Sequence, residues 1–161
     1  MTENEFMETL EAVDPKPLRT LVFVVPGTPV AKGRPKFARR GGFVQAYTPA
    51  KTQAYESTVQ AFASEAMERD PRLFMGPLSV DLEVVVSIPA SGPKKRQAAA
   101  IAGAMAPTKK PDLDNVAKAL LDGMNGYVFN DDAQVVELSM RKRYGEPGVR
   151  VVVKELPMDA A

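Results

Sequence analysis

From Leu78 to Ile88 the chain alternates. Leu78, Val80, Leu82, Val84, Val86 and Ile88 fall on one side of an extended backbone, and Ser79, Asp81, Glu83 and Ser87 fall on the other. A period of two sends successive side chains to opposite faces of a sheet, so this segment demands a sheet with one face covered by apolar groups. Two stretches with helical spacing can supply the cover. After Thr48-Pro49, read as N-cap and first helical residue, Tyr55, Val59, Phe62 and Ala66 recur up to about Arg69. After Pro111, Leu113, Val116, Ala117, Leu120, Leu121 and Met124 form a longer stripe, closed by Asn125-Gly126.

The remaining elements follow from turn chemistry. Arg19 to Val25 reads as a buried strand stopped by Pro26-Gly27. Lys32 to Tyr47 reads as a basic hairpin turning at Gly41-Gly42, where positive φ is needed. Ser91-Gly92-Pro93 opens a short Ala-rich helix with Lys94, Lys95 and Arg96 in its first turn. Cations there oppose the helix dipole, and a phosphate bound beside the turn accounts for them better than helix stability does. Gln134–Tyr144 and Val149–Glu155, joined by Gly145-Glu146-Pro147-Gly148, read as an antiparallel hairpin. The expected fold is therefore α+β: a single domain, with a mixed sheet, a C-terminal antiparallel hairpin and helices packed on it. The domain is expected over residues 19–156, between an acidic mobile tail (1–18) and a short C-terminal tail (157–161).

The absence of two residue types narrows the chemistry. Without Cys there is no thiolate nucleophile, disulfide frame or Cys-held zinc; without His there is no Ser-His-Asp or Cys-His pair and no histidine base. Catalysis has to run on carboxylates, Lys, Arg, Tyr, hydroxyls or a hard cation held by oxygen. No apolar run approaches the roughly 18 residues of a membrane span. Met1–Pro15 holds five acids and no base, unlike a signal peptide, so the expected location is the cytoplasm.

That segment also hides the charge of the rest. It takes five of the 20 acids and none of the 21 bases, which leaves residues 16–161 at +6. Lys32, Arg34, Lys36, Arg39 and Arg40 lie in one acid-free stretch, and Lys94, Lys95, Arg96, Lys109 and Lys110 in another. Arg141-Lys142-Arg143 is a third basic run. A single run is ordinary solvated surface; three on one modest domain favour a polyanion, of which a phosphate backbone is the obvious case.

Two acidic motifs stand beside these runs: Asp112-Leu113-Asp114 at the mouth of the striped helix, and Asp131-Asp132 before a strand. Structural readings exist for each. Asp112 can cap the helix, Asp114 can favour its dipole or pair with Lys118, and Asp131-Asp132 can cap a turn. If Asp112, Asp114 and Asp132 instead converge, their mutual repulsion calls for a divalent cation. All-oxygen ligation by short side chains suits Mg²⁺ or Mn²⁺, which would also stand in for the missing histidine base.

The segments Lys109–Lys118 and Asn130–Val136, with Pro26–Lys36 and Tyr47–Thr52, together resemble the RusA family of Holliday-junction resolvases, its phage and prophage branch in particular. The likeness runs from about Leu21 to Glu155. It implies a RusA-like fold and a homodimeric, Mg²⁺-dependent endonuclease, Mn²⁺ substituting. Such an enzyme resolves four-way DNA junctions by paired symmetric nicks in recombination and repair. Carried over by motif, the catalytic residues are Asp112, Asp114, Asp132 and Lys118. The three aspartates hold the metal, with Asp131 in support. Lys32, Arg34, Lys36, Arg39, Arg40, Lys51, Lys94, Lys95, Arg96, Lys109 and Lys110 are the expected DNA contacts. Competing readings are a non-catalytic branched-DNA-binding module, an Asp-x-Asp phosphotransferase and a protein whose acids only cap helices. In the phosphotransferase the motif should follow an apolar strand, whereas Lys-Lys-Pro precedes it here.

Overall fold

The computed structural model of the protein describes residues 2, 3 and 18–158. Of the acidic tail expected over 1–18 only residues 2, 3 and 18, and of the C-terminal tail expected over 157–161 only residues 157 and 158, are among the described residues. Among the described residues the elements run β1 (Thr20–Pro26), β2 (Lys36–Arg40), β3 (Phe43–Tyr47), α1 (Ala50–Ala66), β4 (Leu78–Val86), α2 (Lys94–Ile101), α3 (Leu113–Met124), a 3₁₀ turn (Asp132–Gln134), β5 (Val135–Tyr144) and β6 (Gly148–Glu155). No helix among them is long and apolar enough to cross a membrane.

Four strands form one sheet in the order β1-β6-β4-β5, and β2-β3 form a separate ribbon. β4 is central, and its alternation is realised: Leu78, Val80, Leu82 and Val84 are fully buried. On the same face lie Phe23 and Val25 of β1 and Val149, Val151 and Val153 of β6. Helices α1 and α3 close that face with Tyr55, Val59, Val116, Leu120 and Met124.

The C-terminal hairpin is corrected. β5 and β6 run in opposite directions but do not pair; β4 lies between them, parallel to β5 and antiparallel to β6. The link Gly145-Glu146-Pro147 arches over the end of β4: Gly145 donates to the Val86 carbonyl at 3.0 Å, and Gly27 donates to that of Pro147 at 3.2 Å. Three residues span the roughly 10 Å between alternate strands. With both faces of β4 lined by interacting side chains, pairing on each edge satisfies its backbone groups. Helix α1 also starts later than expected, with Pro49 rather than Thr48 at the N-cap position, and it ends at Ala66.

Helices α1 and α3 cross closely because of one residue. A Cβ on Gly123 would stand 2.8 Å from Cβ and Cγ1 of Val59 and 3.2 Å from the Glu56 carbonyl oxygen. At an open helical site Gly→Ala gains up to about 1 kcal/mol. Here Gly123→Ala is expected to cost about 1–3 kcal/mol by overpacking, read as a lower midpoint in thermal or denaturant unfolding.

Candidate functional site

The start of α3 is held by the sheet. Lys142, on the helix-covered face of β5, donates from Nζ to the carbonyls of Lys109 (2.7 Å) and Pro111 (3.1 Å), on either side of the cis Lys110-Pro111 bond. Asp112 then takes the N-cap position, yet its side chain makes no capping hydrogen bond. Its exposed carboxylate faces Lys110 Nζ at 3.5 Å. The capping explanation for Asp112 therefore falls. Asp114 and Lys118 share a helix face four residues apart, but among the described residues they form no ion pair. Four residues further, the same row continues to Asp122, a residue the motif reading passed over although its i, i+4, i+8 spacing was visible.

After α3 the chain doubles back. Gly126 turns it with φ +78°, and its amide donates to the Phe129 carbonyl at 2.7 Å. Gln134 ties the following turn. Its Oε1 accepts from the amides of Asn130 and Asp131, and its Nε2 donates to the carbonyls of Phe74 and Gly76. Asp131 completes a capping box by accepting from the Ala133 amide at 2.9 Å.

The adjacent carboxyls thus have different environments. That amide, and a hydrogen bond with Asp132, hold Asp131 below the usual carboxylate range. Asp132 is pushed up by its hydrogen bond with Asp131, by burial and by repulsion from Asp131 and Asp122, with Lys118 pulling the other way. The fold has brought Asp132 into the field of Lys118 and Asp122, from a segment ten or more residues further along the chain.

The signs follow. Asp132 binds its proton more tightly folded than unfolded, so its favourable contribution exists at acid pH and is lost as pH rises through its raised pKa. In chelator, Asp132→Asn should therefore raise the melting temperature at pH 7, with the gain vanishing near pH 3. Asp131→Ala should do the reverse, since a lowered carboxyl stabilises at neutral pH and stops doing so as pH falls through its folded pKa. Thermal melts at the two pH values check both.

The basic residues separate into different roles. Lys32, expected as a DNA contact, is engaged within the protein: its Nζ pairs with Asp122 and lies 3.3 Å from Glu56 Oε1, while its amide donates to the Asn115 carbonyl at 2.9 Å. Its ammonium is held above the ordinary lysine value, chiefly by the hydrogen bond to Asp122. Gly33 donates to Thr52 Oγ1 at 2.9 Å, and a Cβ there would stand 3.0 Å from the Pro49 ring. Those contacts join two of the sequence motifs and fasten the root of the ribbon to α1 and α3. Arg34, Lys36, Arg39, Arg40 and Lys51 are exposed, as are Lys94, Lys95 and Arg96. A cleft of about 400 Å³ between α2 and the following loop is lined by Arg96, Lys109 and Tyr144, which brings the two halves of the second basic run together.

The third run is not a free basic patch. Arg141 and Arg143 lie on the sheet face away from the helices, bound to Asp81 and Glu83 at 2.8–3.2 Å. The parallel register sets Glu83 opposite Arg141, and alternation turns Lys142 to the other face.

Around Asp132 stand the carboxylates of Asp131 and Asp122, with Lys118 as a nearby cation and Lys32 already bound to Asp122; carboxylate oxygen is the donor a hard dication takes. Among the described residues no three acidic side chains are gathered into a ready ion cage. The donor type fits such an ion.

Residues 26–154 match the family described as "Endodeoxyribonuclease RusA". The chain is also 39% identical over 137 residues to the "Uncharacterized protein YqaN" of Bacillus subtilis (strain 168), an alignment that covers 83% of this chain and 95% of that protein.

Proposed function

Because the chain belongs to the RusA endodeoxyribonuclease family, we propose that it resolves four-way DNA junctions by paired symmetric nicks, as a Mg²⁺-dependent homodimer serving recombination and repair. The observation that carries this reading is that Asp132, remote in sequence from α3, lies within the electrostatic influence of Lys118 and Asp122 on that helix. Asp112, Asp114 and Asp132, with Asp122 nearby, would hold the ion. Its chemistry when bound is to polarise the phosphodiester and acidify the attacking water, a function for which no histidine is present.

The chain's own groups do the rest. Asp131 holds the turn that presents Asp132. Lys118, without an ion pair among the described residues, offers an ammonium to the charge that builds on the phosphate during in-line attack. Exposed Arg34, Lys36, Arg39, Arg40, Lys51 and the Lys94-to-Lys110 surface would take the phosphates of the arms, which positions DNA without reading sequence. Two symmetry-related cuts call for two symmetry-related sites, as a C₂ dimer provides.

The test is incubation of the purified protein with synthetic four-way junctions, flaps and duplex, with Mg²⁺, Mn²⁺ or chelator. Paired nicks on junctions alone, dependent on the cation, are expected. Equal cutting of duplex, or cutting in chelator, would refute the reading. Junction affinity should also fall steeply as salt rises.

A further inference from the structure

The β2–β3 ribbon packs its side chains on almost nothing. Nine of its ten strand residues are exposed, with Phe37 at 72% and Phe43 at 80% of their possible surface. Tight Gly41-Gly42 geometry, with φ of +56° and +87°, brings the strands together. Their register sets Lys36 opposite Tyr47, Arg40 opposite Phe43 and Arg39 opposite Val44. Facing residues share one side of a ribbon, so each cation has an apolar neighbour on its own side. There is no acid from Pro26 to Tyr55.

We infer that this ribbon is a base-stacking wedge: at a DNA branch point Phe37 and Phe43 take unstacked bases while Lys36, Arg39 and Arg40 hold the flanking phosphates. The inference rests on the junction-cleaving reading above and deepens it, because it assigns the choice of branched over paired DNA to named residues.

Charge and chemistry select this occupant. Gripping a backbone needs cations alone and does not explain two exposed phenylalanines. A protein contact would have few charges at its centre, and a second copy of the ribbon would set cations against cations. Strand alternation puts Phe37 with Arg39 on one face of the ribbon and Phe43 with Arg40 on the other, so each face offers one ring beside a cation to an unpaired nucleotide, since every base has a face to stack. A two-stranded ribbon is also slim enough to enter a DNA groove. Paired duplex presents no free base faces; a branch point does. The root of the ribbon adjoins Gly33 and Lys32, tied to α1 and to Asp122 on α3, so an occupied wedge sets the branch at a defined place relative to Asp114 and Lys118.

The test uses junctions carrying 2-aminopurine at the branch or within an arm, and Asp132→Asn protein so that binding is read without cutting. Phe37→Ala/Phe43→Ala should abolish the fluorescence change at the branch label and weaken junction binding about tenfold, while duplex binding weakens no more than about twofold. Phe37→Tyr/Phe43→Tyr, which keeps the rings, should restore both. Arg39→Gln/Arg40→Gln should weaken junction and duplex alike and lower the slope of log K against log salt by about two. The wedge is overturned if the alanine pair weakens both DNAs equally, if it leaves junction preference intact, or if it changes the sedimenting species and so marks a contact between copies. If the parent protein binds junctions no better than duplex, the junction reading falls and the wedge with it. If the parent prefers junctions and the alanine pair still does, the wedge alone falls.

Discussion

Asp132→Asn and Asp114→Asn should each slow cation-dependent nicking of a four-way junction by at least about a thousandfold while junction binding persists. Either change keeps the side chain's size and removes a charge from a surface where carboxylates outnumber ammonium groups. If the ion contributes several kcal/mol to the transition state, losing about 4 kcal/mol of it corresponds to that factor. Binding should persist or tighten slightly, because phosphate contacts come from the basic residues and a repulsive charge is gone. The neighbouring residue supplies the internal control. Asp131→Asn keeps a capping side chain, so it should retain far more activity than Asp132→Asn. Equal loss in the two variants would mean that Asp131 acts on the substrate or ion directly; normal nicking by Asp132→Asn would remove that residue from the site.

Lys118→Ala is expected to slow nicking by about a hundred- to a thousandfold, the usual effect of removing one group aimed at developing negative charge. It is exposed and makes no ion pair among the described residues, so the melting temperature should move little. The same substitution withdraws the one cation that draws the Asp132 pKa down. The acid limb of the pH–rate profile should therefore shift to higher pH, an effect that a purely structural lysine would not produce. A large loss of stability with a normal rate per folded molecule would overturn the assignment.

How much of this was legible in advance differs by element. Six strands and three helices could be placed from period, turn glycines and proline punctuation, because those signals act over a few residues. The pairing of β5 with β6 could not, because a short link fits a hairpin and an arch over one intervening strand almost equally. The choice fell to β4, whose two edges needed partners. The basic runs divided for the same reason. Lys32, Arg141 and Arg143 look like Lys36 or Arg39 in composition, and only the side of the backbone on which each lies, and the acid opposite it, separates a surface contact from an ion pair.

The acidic site shows the division at its sharpest. Asp112, Asp114, Lys118 and the Asp131-Asp132 pair were identifiable as residues, since carboxylates at a helix mouth and before a strand, in a chain with no histidine, leave few other tasks. Which member of the pair is held by the backbone and which is left under electrostatic pressure was decided by the turn that Gln134 closes. Asp122 joined the group only when the chain folded back along α3. Local spacing determines what each segment is; which charges meet depends on contacts between distant segments, set by how the sheet and helices share one core.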